Sequence, residues 1–381
     1  LVDYRGYGYI GMNADLVNVG GQPESQESKD LRLAIMTVLS VHRDTVIDSY
    51  YGYRATVIQY PISNTSWAAP RPTDEGYEVT YSKDVDGNSI FTDGMSEQEK
   101  YEAALKAAVG YLKAAGYTFD EATGKFTAAP EGAKLEYELM IPADGTGNHP
   151  SFMICTLAKQ AFETIGINLI VNDLSDSNVL WDRMDAGTQE LWCAAWGATI
   201  DPDMYQVYYS TNGNGKGGTE SNHYMIADDT LDELIMEART SADQAFRKAT
   251  YKQCLDIIID WAVEVPVYQR QNAVIMSTER VNIDTVTPDI TPFWRWMAEI
   301  EKIETNGADQ LVVGYDYFSS KFSPFFGKTQ YDVDVGDMTT QYLMGLDREG
   351  NPVLSGIEGE TRSYNGTDYT YYGISDVEIV Q

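Results

Sequence analysis

The chain is poor in the side chains that carry reactive or metal chemistry. Of 381 residues, three are cysteine and three are histidine. Cys155, Cys193 and Cys254 are widely spaced among apolar neighbours, with no C-x-x-C and no Cys/His cluster. They read as small buried hydrophobes rather than a metal or redox centre. His42, His149 and His223 stand at no ligand spacing, so zinc is not expected, and the sequence calls for no metal or cofactor. Basic residues are also scarce: 27 Lys and Arg face 58 Asp and Glu, a net charge of −31. A surface of that sign repels phosphate backbones and anionic lipid, which argues against nucleic acid and membrane surfaces as partners. No apolar run is long enough to span a bilayer. The opening Leu1-Val2-Asp3-Tyr4 has neither the basic nor the apolar region of a signal peptide. The expectation is a cytosolic protein or a processed or excised piece of a longer one.

What the chain does have is apolar and aromatic bulk. Hydrophobic residues make up 43%, ample for a sizeable core, and the length suggests about two domains. The 27 Tyr and 7 Trp suit a chain built to hold something amphipathic. Helix and strand patterns alternate. In 30–41, Leu31, Ile35, Val38 and Leu39 share one helical face, with Arg32 off it. Ser96-Glu97-Gln98-Glu99 is a capping box opening an alanine-rich helix to Ala115, closed by Gly116. In 134–141, Leu135, Tyr137, Leu139 and Ile141 alternate as in a half-buried strand. A helix over 152–165, a strand over 167–172, a helix from Ser177 to near Gly187 and a strand over 190–196 follow. This β–α–β–α–β order predicts an α/β lobe with largely parallel strands. Helices over 229–239 and 243–263 precede a strand that starts at 265–268. Beyond Ile303, residues 304–310 read as a turn-rich linker and a new strand begins at Leu311. The remainder is rich in Tyr, Gly and Asp, has few helical signals and does not resemble a complete core.

Short motifs give little. Asp84-Val85-Asp86-Gly87-Asn88 fails as a calcium loop, with Ser89 and Met95 where Gly and Glu belong, and reads as a tight turn between strands. The loop 213–219 lacks phosphate-loop spacing and no helix pattern follows it. More telling is 193–210, CAAWGATIDPDMYQVYYS. There an apolar strand ending in Trp196-Gly197 opens into two aspartates and three tyrosines. Asp201 and Asp203 could serve as an acid–base pair, and a carbohydrate-active hydrolase built on them is the enzymatic alternative. Among 58 carboxylates, however, a chance pair beside an aromatic loop is expected.

Several stretches, taken in order, resemble the family 5 extracellular solute-binding proteins of bacterial ABC importers. The group includes oligopeptide, dipeptide and nickel binders. Residues 7–13 (YGYIGMN) look like the strand that crosses into the second lobe. Residues 30–62 look like that lobe's first helix, with Arg32, Ala34 and Ile35 and then His42-Arg43-Asp44. YLKAAGY (111–117), FETIGINLIV (162–171) and the segment 243–276, with Arg247, Tyr251 and Pro266-Val267-Tyr268, match further family patterns. The likeness runs through most of 5–304.

The resemblance implies a periplasmic-binding-protein-like α/β lobe (type II, peptide-binding), with a mixed sheet flanked by helices and partial first-lobe strands. It divides the chain into a second, ligand-binding lobe over 1–272, a return segment over 273–304, and a linker with a first-lobe-like opening over 305–381. That last segment reads as the start of a following module in a tandem array, or as strands folding back on the return segment. The resemblance implies a non-catalytic, extracytoplasmic, lipid-anchored protein that closes over a peptide or similar small solute and delivers it to membrane permease subunits. It places the ligand beyond the carboxyl end of the strand at 190–196, against Trp196, Gly197, Ala198, Thr199, Asp201 and Tyr205. Where peptide binders often carry an aspartate soon after Trp-Gly, this chain has Ala198 and Thr199. Asp201 is read either as a ligand contact or, given Pro202, as a turn or capping residue. Tyr205, Tyr208 and Tyr209 are expected to divide between cleft and core. A surface sensor or scaffold that kept the fold without the ligand is the third reading.

Overall fold

The computed structural model describes residues 1–286 and, beyond them, 291–293, 300, 303–315, 322–323, 326, 330–340, 342, 344–346, 352–354, 359, 361–364 and 367–370. The chain forms two compact units, Tyr4–Arg270 and a second made of Leu1–Asp3 with Gln271–Gln381. Strands are β1 (Val2–Asp3), β2 (Gly6–Met12), β3 (Ala55–Val57), β4 (Thr118–Asp120), β5 (Lys125–Ala128), β6 (Glu136–Ile141), β7 (Asn168–Asp173), β8 (Leu191–Gly197) and β9 (Glu264–Asn272). Helices are α1 (Gln26–Val41), α2 (Arg43–Tyr51), α3 (Glu97–Ala114), α4 (Pro150–Thr164), α5 (Asn178–Asp185), α6 (Tyr205–Tyr208), α7 (Asp229–Thr240) and α8 (Gln244–Asp260).

In the unit Tyr4–Arg270 the sheet order is β9-β2-β8-β6-β7, with β3 also on β9. Strands β7 and β8 run parallel to β6, while β2 is antiparallel to both β8 and β9, and β3 to β9. The largely parallel sheet expected from the β–α–β–α–β order is therefore true of its β6–β7–β8 part only. The whole is mixed, because β2, inserted between β8 and β9, runs against both, and β3 on the far side of β9 runs with β2. Helices cover both faces. Ile10, Met12, Leu139, Leu191, Cys193 and Val265 meet the layer of α1 to α4. Tyr7, Tyr9, Met140 and Trp192 meet α6 to α8 and the preceding loops. Covering both faces also corrects the half-buried reading of 134–141, since Met140 is as buried as Leu139.

Helix starts follow local chemistry. Ser25 caps α1, and the predicted box at Ser96 is present, with its side chain accepting from Glu99 N and Glu99 reaching back. His149 caps α4 with Pro150 in the first turn, and Asp228 and Asp243 cap α7 and α8. Arg32 is the clear departure from the periodic pattern. It is fully buried rather than off the apolar face. Its guanidinium donates to the carbonyls of Trp261 at 2.7 Å, Pro23 at 2.8 Å and Val17 at 3.1 Å. Burial lowers its pKa to about 10, so it stays charged at neutral pH and its planar fork ties α1 to the end of α8.

All seven residues of β2 are buried. Its glycines are spacers: a methyl group at Gly8 would run into the ring of Tyr268, and one at Gly11 into the ring of Trp192. Large aromatics from both neighbouring strands can lie across β2 because it lacks side chains there.

The second unit is described in part. β1 pairs antiparallel with residues 271–272 of β9. It also holds a helix, α9 (Gln330–Thr339), and two hairpins, β10 (Met344–Leu346) with β11 (Pro352–Leu354) and β12 (Thr361–Tyr364) with β13 (Thr367–Thr370). The strand expected from Leu311 is not formed over 311–315, and the rest of it lies outside the described residues, as do 287–290, 294–299 and 301–302 of the return segment 273–304.

Gly11→Ala is expected to cost about 1–3 kcal/mol through overpacking against Trp192. Urea denaturation measures it, and an unchanged midpoint would mean that the ring does not depend on the gap.

Candidate functional site

β6 pairs with β8 only at Leu191 and Trp192, whereas β2 stays with β8 to Gly197. Residues 194–197 therefore run on beyond the end of β6 with a strand partner on one side. Ala195 and Gly197 are exposed, and Ala194 and Trp196 half-buried. Past the strand, Ala198 N donates to the Arg5 carbonyl at 3.0 Å, and Thr199 Oγ1 donates to the Asp201 carbonyl at 2.6 Å.

Trp196 is held from two directions. Its ring lies on Tyr9, with centroids 5.7 Å apart and planes within 6°. Its indole Nε1 donates to Tyr224 Oη at 3.1 Å. Tyr224 in turn donates to Glu264 Oε2, which also accepts from Tyr208 Oη at 3.0 Å. The Tyr208 and Tyr224 rings stack at 5.5 Å. Trp192 Nε1 donates to Tyr9 Oη at 3.2 Å, closing the aromatic cluster from below. Glu264, the first residue of β9, is 1% exposed. Burial pushes its carboxyl up to about 7, against hydrogen bonds from Tyr224, Tyr7 and Tyr208 that favour the charged form.

The loop that follows carries aspartates already held by arginines. Asp201 Oδ1 accepts from Arg247 Nη2 at 2.7 Å, and the same nitrogen donates to Tyr251 Oη at 2.9 Å. The Arg247 guanidinium also lies 5.5 Å from the ring centres of Trp67 and Tyr251. Asp203 pairs with Arg239 at 3.3 Å and accepts from Tyr205 N at 3.1 Å. Arg239 sits 4.2 Å over the Tyr205 ring, which lies 4.6 Å from Tyr209. Of the three tyrosines, Tyr208 is buried, while Tyr205 and Tyr209 are half-buried and pack against the same core cluster.

All six residues expected at the ligand, Trp196, Gly197, Ala198, Thr199, Asp201 and Tyr205, lie on one continuous stretch, and none is sealed in the interior. Asp203 Oδ1 takes the Tyr205 N–H in a turn ahead of α6, while Asp201 offers its carbonyl to Thr199 and its carboxylate to Arg247. With each aspartate bound to its own arginine, neither is poised as the acid–base pair of a hydrolase. Tyr9, Tyr224, Glu264, Arg239 and Trp67 were not singled out by the sequence, and Arg247 figured there only within a family pattern, with no role at the site. Glu264 alone carried a visible signal, as a lone acid inside the apolar run AVEVPVY. A cavity of about 370 Å³ on the same unit is lined by Ser40, Arg43, Asp44, Thr80, Glu97 and Lys100. Arg43 is committed there to the carbonyls of Ser40, Ile58 and Pro266, and Lys100 to Glu97, so its cations are not available to a ligand. Among the described residues, no group of three or more His, Cys, Asp or Glu could hold a metal ion, and no helix is long and apolar enough to cross a membrane.

The family model for bacterial extracellular solute-binding proteins, family 5 (middle section), matches residues 2–218. A probable D,D-dipeptide-binding periplasmic protein of Escherichia coli, DdpA, is 24% identical over 237 residues, covering 60% of this chain and 43% of that protein. The oligopeptide-binding protein AppA of Bacillus subtilis, solved in complex with a nonapeptide, superposes with a TM-score of 0.51 at 18% identity, over 70% of this chain and 45% of that one. The likeness to AppA is one of fold. The chain spans less than half the length of these two relatives.

Glu264 gives a pH signature. Its folded pKa lies above the ordinary 4.5, so between about pH 4.5 and 7 the native state binds more protons than the unfolded one. Its contribution to stability is fully present below pH 4.5 and is lost as pH rises through 7, by up to ~3 kcal/mol. His42, lowered to about 4 by burial, slopes the other way, so the wild type must be compared with Glu264→Gln. Urea titrations from pH 5 to 8 are expected to show the variant gaining on the wild type as pH rises. A constant difference would remove the proton from Glu264.

Proposed function

Because this chain belongs to the family 5 bacterial extracellular solute-binding proteins, we propose that it binds a peptide, or a solute of peptide size, against the Trp196–Tyr205 wall. In this reading it works outside the cytoplasm, carries out no covalent step and hands its ligand to the permease of an ATP-driven importer. The ligand wall belongs to the unit Tyr4–Arg270.

The observation that supports this best is the half-exposed Trp196, locked on Tyr9 and Tyr224, at the end of a strand with one side unpaired. An extended peptide offers groups that fit both parts. Its amides can hydrogen-bond to main chain beyond the end of β6, and an apolar or aromatic side chain can lie on the fixed indole. Thr199 and the exposed side of Asp201 add polar contacts at the rim. The names of the relatives, one for D,D-dipeptides and one for oligopeptides, bracket the ligand lengths worth testing. The hydrolase reading has no comparable support, since its two carboxylates are engaged by Arg247 and Arg239.

Native mass spectrometry of the purified protein with pools of D,D-dipeptides and of tri- to nonapeptides is expected to show a one-to-one complex with one class. Trp196→Ala should weaken that complex at least tenfold while leaving the far-UV circular dichroism unchanged. A protein that binds none of the pools, and whose Tm none of them raises, would favour a sensor or scaffold and sink the proposal.

A further inference from the structure

The ligand wall leaves one pair of reactive groups unused. Cys155 on α4 and Cys193 on β8 approach with their Sγ atoms 3.7 Å apart, 38 positions apart in sequence. Both are buried in the core between the sheet and the layer of α1 to α4. The chain has only three cysteines, so contact between two of them is not a consequence of abundance. Cys254 lies in the core on the opposite face of the sheet.

We propose that Cys155 and Cys193 are the site of a disulfide that fastens α4 to β8, the strand that carries Trp196. The sulfurs are already in van der Waals contact. Closing them to the bonded length of about 2.05 Å needs an approach of roughly 1.6 Å, within reach of side-chain rotation and a small shift of the helix on the sheet. The bond would join two elements that are otherwise held together by apolar packing. It would also close a loop spanning 38 positions, which removes conformations from the unfolded chain.

The step is thiol–disulfide exchange. One thiol loses its proton and attacks a sulfur of an external disulfide, R–S–S–R, releasing one RS⁻. The second thiolate then attacks the resulting mixed disulfide and releases the other. The two cysteines are oxidised by two electrons, the external disulfide is reduced to two RSH, and the two thiol protons end on those leaving groups. The oxidant is a small-molecule or protein disulfide of an oxidising compartment, so occurrence in the cell rests on the extracytoplasmic placement proposed above. Burial pushes the Cys193 thiol up, so the folded protein holds little thiolate there. The bond forms while α4 is still undocked, and once formed it is shielded from reductant.

The test supplies the oxidant and reads no ligand, so its failure is distinct from failure of the transport reading. The protein is denatured, reduced, and refolded in a mixture of oxidised and reduced glutathione. Free thiols are then blocked with N-ethylmaleimide and the protein is digested for mass spectrometry. The expected result is one cross-linked peptide pair joining Cys155 to Cys193, with Cys254 blocked. The bonded form should melt several degrees above the same protein refolded in reductant, and that gap should vanish in Cys155→Ala/Cys193→Ala. Recovery of all three cysteines blocked, or a bonded form without the native near-UV circular dichroism, overturns the proposal.

Discussion

A carboxyl group excluded from water organises this lobe. Glu264 opens β9, yet its partners come from other parts of the chain: Tyr208 from α6, Tyr224 from the loop before α7, and Tyr7 from β2. Leaving a carboxylate in such a place would be costly, and the protein relieves the cost in two ways. Phenol hydroxyls point at one oxygen, and the group holds its proton up to about neutral pH. The result is a polar knot inside an aromatic cluster. Buried networks of this kind fix a unique arrangement, because slipping any member leaves a donor or acceptor without a partner in a dry interior.

The knot reaches the surface through a single side chain. Tyr224 accepts from the Trp196 indole while donating to Glu264, and Tyr9 supplies the stacking face. An aromatic stack adds about 0.5–1.5 kcal/mol beyond burial. Together with the indole hydrogen bond, it holds one orientation of a ring that is only half covered. A surface aromatic prepared in this way loses little freedom when something is laid on it, and such loss is a large part of the cost of binding. The gap at Gly11 belongs to the same device, since it leaves room for Trp192 to cross the central strand.

How much of this could be read from the sequence depended on how local the cause was. Ser96 with Glu99, Gly116 after α3, and the alternation of Tyr137, Leu139 and Ile141 are nearest-neighbour patterns, and they gave the elements. The resemblance to solute-binding proteins placed Trp196 to Tyr205 on one stretch. What stayed hidden was non-local. Arg32 looks like a solvent residue on a helical wheel, and only folding brings the carbonyls of Val17, Pro23 and Trp261 around it. The partners of Asp201 and Asp203 lie 46 and 36 positions away on α8 and α7, distances at which no periodicity operates. The contact between Cys155 and Cys193 belongs to the same class, since a helix and a strand must dock before the sulfurs meet.

The pairing of those aspartates also answers what so many carboxylates do beside the proposed binding surface. With a net charge of −31, unpaired acids at the wall would repel the carboxylate end of any peptide. Arg247 and Arg239 remove that repulsion locally. Each guanidinium also lies over aromatic rings, Arg247 over Trp67 and Tyr251 and Arg239 over Tyr205, so the cations are anchored rather than mobile. Partly exposed ion pairs of this kind stabilise the fold by no more than about 1 kcal/mol. Their weight is therefore electrostatic and positional: the rim of the wall carries balanced charge inside a strongly negative protein. A zwitterionic or neutral solute meets little opposition there, whereas a polyanion meets the field of the whole molecule.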